Sequence, residues 1–514
     1  MRKFPLVVFV IILLTTGIGV AMALQGKKQM DHHVREPAVA GQFYPASEAM
    51  LQRAVEKFLQ DATPVRVKRP IAIIVPHAGY IYSGQIAADG FKQAAGGDYD
   101  IVVILGTNHT SAEFRKVSLY NGSGFRTPLG VAPIDLEIAQ ALAAANPECT
   151  MERSVHEREH SIEVQVPFVQ ILFPKAKILP AIVGTPEVGL CNRFGQTLAS
   201  VLRDRKALIV ASSDLSHYPS AEDARAVDHE TLRAVATMDP ATLRAAIAAH
   251  RERRIPGLHT SACGEAPMLA AMAAAKALGA TRGVVISYAH SGDVSIGDRS
   301  RVVGYGAVAL SAEEGRADTS ALDEGNTAPQ EPSLTPADKK AMLRFVRETI
   351  SRYLSTQTVP LARGFSPDLQ YPQGIFVTLK KKEQLRGCIG RIVPDAPLSK
   401  LMGTIALQSA FEDPRFKPVT AKELDDLEIE ISVLTPMKQV KGPGDIVVGR
   451  DGVVLRKGGR SAVFLPQVAP EQGWGRDEML DHLSMKAGLS RGSWREGAEF
   501  FTFQAIVFSE KEFQ

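Results

Sequence analysis

Histidines and acids in the first part of the chain fall directly after short apolar runs. Pro76-His77 follows the run at 71–75, and Thr107-Asn108-His109 follows the one at 101–105. Ser212-Ser213-Asp214-Leu215-Ser216-His217 follows 207–211, and Tyr288-Ala289-His290-Ser291-Gly292-Asp293 follows 283–287. In an open sheet covered by helices, loops at the carboxyl ends of the strands converge on one crevice. A single histidine after a strand is ordinarily a hydrogen-bonded structural residue, whereas four such endings point to a shared site. Neutral imidazole with carboxylate binds divalent iron, copper or zinc, and two histidines plus one acid leave positions open for substrate and oxygen. The segment His259-Thr260-Ser261-Ala262-Cys263-Gly264-Glu265 adds a thiol in polar, glycine-flanked text, unlike the apolar run around an inert buried cysteine. As a thiolate, Cys263 would be a soft metal ligand or a nucleophile. A competing pattern is His156-Glu157-Arg158-Glu159-His160, which matches H-E-x-x-H, two zinc-binding histidines one helical turn apart with a glutamate base. That pattern needs a helix, yet Ile162, Val164 and Val166 alternate after it up to Pro167, and no third ligand follows at the spacing of the known zinc proteases.

The elements that must position these residues are legible as well. Apolar runs at 71–75, 101–105, 177–183, 207–211 and 283–287 alternate with helical text, the Ala-rich stretch 221–249 included, so region one (33–310) reads as an α/β sheet flanked by helices. Residues 311–335 hold almost no large apolar side chain and read as a linker. Thr335-Pro336-Ala337-Asp338 then starts a helix whose apolar face is Met342, Leu343, Phe345, Val346, Ile350, Tyr353 and Leu354. Strand text at 374–379, 427–434, 462–465 and 500–508 follows, so region two (336–514) reads as α+β. At the other end, Arg2 and Lys3 precede the apolar run 6–14, and Ala21-Met22-Ala23 offers a small-x-small cleavage site. Residues 1–26 are therefore expected to be a signal peptide or, uncleaved, a membrane anchor, with the rest of the chain exported to the periplasm or beyond.

At 514 residues the chain has room for two to four domains of about 150 residues each. Fifty-nine basic against 56 acidic residues leave a formal charge of +3, too small an excess to point to nucleic acid. Four cysteines cannot build a disulfide framework, although Cys149 and Cys191 could pair in an oxidising compartment. Phosphate-loop, dinucleotide-binding and C-x-x-C motifs are absent from the sequence, which removes support for nucleotide hydrolysis, dinucleotide redox chemistry and thioredoxin-like exchange.

Seven stretches of region one, in order, carry a family resemblance: REPAVAGQFYP at 35, PHAGYIYSG at 76, LGTNH at 105, EHSIEVQVPF at 159, SSDLSHY at 212, HTSACGEAP at 259 and SGDVSIGD at 291. Region one resembles the Memo family, also called AmmeMemoRadiSam system protein B, whose fold is similar to that of the class III extradiol dioxygenases. The resemblance implies a metal set of His77, His109 and Cys263, with Asp214 and His217 in the same crevice. A thiol would stand where the dioxygenases have a carboxylate; it donates more strongly and also suits copper or zinc, which prevents a simple transfer of ring-cleavage activity, and the expected metal is iron or copper, with zinc less favoured. His160, with Glu163 nearby, is the candidate for positioning or acid/base work, or else for a structural hydrogen bond.

Region two resembles the AMMECR-type domain, system protein A, through LRGCIG at 385, FEDPRF at 411, EISVLTP at 430 and LPQVAPEQGW at 465. Gly387 and Gly390 bracket Cys388, read either as a catalytic thiol or as a backbone requirement. Arg386, Glu412, Asp413 and Arg415 would line a polar pocket or form a salt-bridged turn, and Lys380-Lys381-Lys382 reads as a hairpin tip. The resemblance also implies a partner, a radical SAM protein of the same system or its product. Three functions follow: an exported metal-dependent redox protein acting on a small molecule or peptide, a non-catalytic ligand-binding protein, and a zinc hydrolase.

Overall fold

The computed structural model describes residues 33–313, 315–322, 334–393 and 396–513; the signal or anchor expected at 1–26 lies outside them. Among the described residues no helix is long and apolar enough to cross a membrane.

In chain order the strands of region one are β1 (Val34–Arg35), β2 (Ala72–Val75), β3 (Ile101–Thr107), β4 (Val117–Leu119), β5 (Gly124–Thr127), β6 (Gly130–Pro133), β7 (Cys149–Thr150), β8 (Lys177–Val183), β9 (Ala207–Ser212), β10 (Arg282–His290) and β11 (Gly304–Ser311). Eight of them form one sheet in the order β10-β11-β2-β9-β3-β8-β4-β7. β2, β9, β3 and β8 are parallel. β11 runs against both β2 and β10, so β10 points the same way as β2. The carboxyl ends of β2, β3, β9 and β10, which carry the four chemical endings, therefore share one edge of the sheet. These strands are apolar without alternation because both faces are covered. Ile101, Val103 and Leu105 join a core with the helices Val188–Leu202 and Glu265–Ala277. Val102 and Ile104 face the opposite core, with the helices Glu48–Gln60, Tyr80–Ala94 and Val166–Leu172.

Three expectations are revised. The stretch 221–249 is two helices, Ala221–Ala236 and Pro240–Glu252. Met238 adopts φ 57°, and Asp239 caps the second helix by accepting from Ala241 N and Thr242 N, with Pro240 at its first turn. The stretch expected as a linker is partly ordered. β11 extends to Ser311, Asp318 exchanges backbone bonds with Gly283 and Val285, and Leu322 is buried. The run at 500–508 divides at Gln504 into two strands that belong to different sheets.

Region two opens with the helix Pro336–Thr356, capped by Thr335 and Asp338 as its sequence predicts. Its strands are β12 (Ile375–Lys381), β13 (Gln384–Arg391), β14 (Leu427–Leu434), β15 (Lys438–Val440), β16 (Gly452–Lys457), β17 (Arg460–Phe464), β18 (Glu499–Phe503) and β19 (Ala505–Ser509). They form two sheets, β13-β12-β14-β19 and β15-β18-β16-β17. Lys382 and Glu383 take positive φ in the β12–β13 turn, so the lysine run is a hairpin tip.

Candidate metal centre

His77 stands just past β2 in a bed of hydrogen bonds that decides its chemistry. Ser212 Oγ, at the end of β9, donates to the Ser161 carbonyl at 2.6 Å, so its proton is committed. The same oxygen accepts from Gln165 Nε2 at 2.9 Å and lies 2.9 Å from His77 Nδ1. His77 must therefore carry its proton on Nδ1, leaving the Nε2 lone pair free. That Nε2 lies 3.1 Å from Cys263 Sγ. Asp214 holds the loop from below, its Oδ1 accepting from His77 N at 2.7 Å and Ala78 N at 3.2 Å, with Oδ2 4.0 Å from His77 Nε2.

Glu159 fixes His109 in the same manner. One carboxylate oxygen accepts from His109 N at 2.7 Å and the other lies 2.9 Å from His109 Nδ1, which again frees Nε2. Cys263 lies in the loop just before the helix Glu265–Ala277, whose N-cap is Gly264. Its loop is tied from two strand ends, with Thr107 Oγ1 donating to Cys263 O at 2.9 Å and Cys263 N donating to Asp214 O at 3.2 Å.

The donor atoms of His77, His109 and Cys263 lie within 4.8 Å of one another. An ion with bonds of about 2.0–2.3 Å to nitrogen and sulfur spaces its ligands roughly 3–4.5 Å apart, so this set fits one metal. Burial, together with the neighbouring His109 and His160, pushes His77 well below the usual imidazole range, as a neutral ligand requires. Burial pulls His109 the same way, but the Glu159 hydrogen bond and charge outweigh it and raise His109. Glu159 itself, despite burial, is held down to about 2 by His109 and the Ser161 amide. Burial and the Asp214 charge raise the Cys263 thiol, so metal binding there must release a proton.

His160 stacks on His109 at 4.7 Å between centroids and meets the His77 ring edge-on at 5.4 Å. His109, Glu159 and His160 also offer donor atoms within 4.8 Å of one another. His217 donates Nδ1 to the Leu215 carbonyl at 2.9 Å. Glu163 does not reach His160 by a hydrogen bond; it pairs with Arg35 and accepts from Ala38 N, Val39 N and Tyr44 Oη.

Other candidates are not gathered here. H-E-x-x-H does not share a helix: Ser154–Glu157 is a single turn, His156 Nε2 lies 3.1 Å from the Ser118 carbonyl, and only His160 reaches the imidazole cluster. The reason is Arg35, whose guanidinium donates to the carbonyls of both His156 and Glu159 and bends the segment between them. The fourth strand ending also goes elsewhere, since His290 lies against Asp293, which pairs with Lys400 of region two. Cys149 and Cys191 are unpaired and buried in one core, each pushed up to about 12 by burial.

Cys388 lies on β13, its sulfur 3.3 Å from Thr378 Oγ1. The flanking glycines are strand residues, where an added Cβ would meet Ser409 O at Gly387 and the Phe376 ring at Gly390, both at 2.2 Å. Arg386 pairs with Glu423, whereas Asp413 and Arg415 pair with each other and with the Cys388 backbone, so for these three the salt-bridged alternative holds; no ion pair of Glu412 joins them among the described residues.

Glu159, Ser212, Gln165 and Arg35 are the site's supports that sequence reasoning missed. Replacing Glu159 with glutamine is expected to let His109 rotate or change tautomer and to weaken metal binding about 10–100-fold, measured by competition against a chelator.

Residues 35–309 match the family model for Memo-like protein, and residues 343–508 match that for AMMECR1. The chain is 39% identical over 273 residues to a MEMO1 family protein of Aquifex aeolicus, covering 53% of this chain and 97% of the relative. It is 34% identical over 281 residues to one of Nitrosopumilus maritimus, covering 54% and 98%. A crystal structure of an uncharacterized protein from Pyrococcus horikoshii is 37% identical, covering 35% of this chain and 94% of that one, with a TM-score of 0.34.

Proposed function

Since the chain belongs to the Memo family and continues into an AMMECR1 domain, we propose that it is a metal-dependent redox protein holding iron or copper between His77 Nε2, His109 Nε2 and Cys263 Sγ. One observation carries this reading: donor atoms from two strand ends and from the loop before the helix Glu265–Ala277 converge within 4.8 Å, with the proton of each imidazole turned away onto a buried partner. Bound iron or copper would supply one-electron chemistry and coordination positions open to substrate or oxygen.

The protein's own groups cover the protons. Burial lowers His160 and raises Asp214, so each is shifted toward its neutral form, and the two are the groups beside the donor set proposed to move protons. His217 spends Nδ1 on the Leu215 carbonyl, which leaves Nε2 as the nitrogen available to a ligand. A zinc hydrolase reading loses its support because His156 is committed to Ser118. The substrate class proposed is a small molecule or peptide. With the leader expected at 1–26, the natural setting is outside the cytoplasm, acting on the exported product of a radical SAM partner rather than beside that enzyme.

Anaerobic loading of the purified full chain with Fe(II) or Cu(II), followed by gel filtration and metal analysis, tests the reading. About one equivalent should be retained, with a visible thiolate-to-copper absorption for Cu(II). A folded chain that retains neither ion would leave only the ligand-binding reading.

A further inference from the structure

Away from the metal centre, the seam between the domains holds a cavity of about 210 Å³. It lies where the helix Pro336–Thr356 of the AMMECR1 domain packs against the helix Glu48–Gln60 of the Memo domain. Arg344, Glu348 and Arg352 recur every four residues and so form one stripe on that helix. Arg352 is 4% exposed; its Nη2 is paired with Asp61, while Nη1 finds no hydrogen-bond partner although it is buried. Arg344, exposed at the mouth, makes no hydrogen bond or ion pair among the described residues. Arg363, also lining the cavity, is engaged by Asp89 at 2.8 and 3.1 Å.

The charges around the seam do not cancel. Lys57, Arg344, Arg352 and Arg363 face Asp61, Asp89 and Glu348, which is four cations against three carboxylates. Both acids lining the cavity are already claimed, Asp61 by Lys57 and Arg352, and Glu348 by Lys57 at 3.2 Å. An incoming anion would therefore meet guanidinium donors and no free carboxylate. Phe345, Phe365, Leu361 and Pro360 add apolar wall beside Gln85.

We propose that this seam is a binding site for a small oxyanion, a carboxylate or phosphate on an apolar body, received by Arg352 Nη1 and Arg344. Guanidinium forks pair two donors with two oxygens of such a group, which a lysine cannot do. The arginines belong to the AMMECR1 domain, whereas Asp61, Asp89 and Gln85 belong to the Memo domain, so the ligand sits where the two are docked.

The test is calorimetric titration and thermal unfolding of the full chain with inorganic phosphate, phenyl phosphate and benzoate. Saturable binding of at least one probe is expected, weakened by added NaCl and tighter for the aromatic members. It should weaken about tenfold or more in Arg344→Ala, an exposed substitution, and in Arg352→Lys, which keeps the charge but loses the fork. A preference between phenyl phosphate and benzoate identifies which oxyanion the site takes. No saturable binding of any probe, or equal affinity in the wild type and Arg344→Ala, overturns the proposal.

Discussion

Cys263→Ala is expected to lower metal affinity by more than about 100-fold while the chain stays folded. The thiolate is one donor of three, and the two imidazoles left behind supply no anionic charge to the ion. The substitution removes only a sulfur from a side chain that is not fully buried, so the cavity it leaves is small. The loop would keep its backbone bonds to Thr107 and Asp214, neither of which uses the sulfur. Cys263→Asp separates charge from softness. It restores a carboxylate beside two histidines, the set that suits Fe(II), and removes the soft donor that favours copper. The expected order for copper is wild type well above Asp and Ala; for Fe(II) it is wild type and Asp above Ala. Chelator competition with each ion reads both orders. A Cys263→Ala protein that binds both metals like the wild type would leave the proposed centre without its third ligand.

Much of this centre was legible because parallel strands buried on both faces write themselves as continuous apolar text, and the residues just past them are set by the sheet's polarity. Three of the four endings, carrying His77, His109 and Asp214, meet at one place for that reason. The fourth was equally visible but not its direction, since β10 lies at the sheet edge, where the AMMECR1 domain claims Asp293 through Lys400. Glu159 was present in the text as one acid among several. Which of Glu157, Glu159 and Glu163 faces a histidine depends on the bend that Arg35 imposes from more than a hundred residues away. No local periodicity records such a contact. The run at 500–508 failed differently, because the lone polar Gln504 between two apolar stretches reads as an ordinary outward-facing strand residue rather than as a change of sheet. What divides it is a pair of backbone and side-chain bonds between Gln504 and Thr435, each 2.8 Å long.

That dependence on Arg35 makes Glu163→Ala the most damaging single change expected outside the ligands. The two side chains are 1% and 0% exposed and form an ion pair, and Glu163 also receives Ala38 N, Val39 N and Tyr44 Oη. Removing the carboxylate leaves a guanidinium buried without its counter-charge, which costs about 3–5 kcal/mol, and leaves two amides and a phenol short of an acceptor. Glu163→Gln keeps the volume and one acceptor oxygen, so its loss should be smaller. The double variant Arg35→Met, Glu163→Leu removes both charges and should recover part of the loss. Because Arg35 also holds the carbonyls of His156 and Glu159, the double variant tests a second consequence. Its fold should be firmer than that of Glu163→Ala, yet its metal affinity should stay below the wild type's, since the hold of Arg35 on the Glu159 backbone, which helps aim Glu159 at His109, is gone. Denaturant unfolding followed by chelator competition on the same three proteins separates the two effects. If stability and metal affinity instead recover together in the double variant, Arg35 serves only as a counter-ion and the placement of Glu159 has another source.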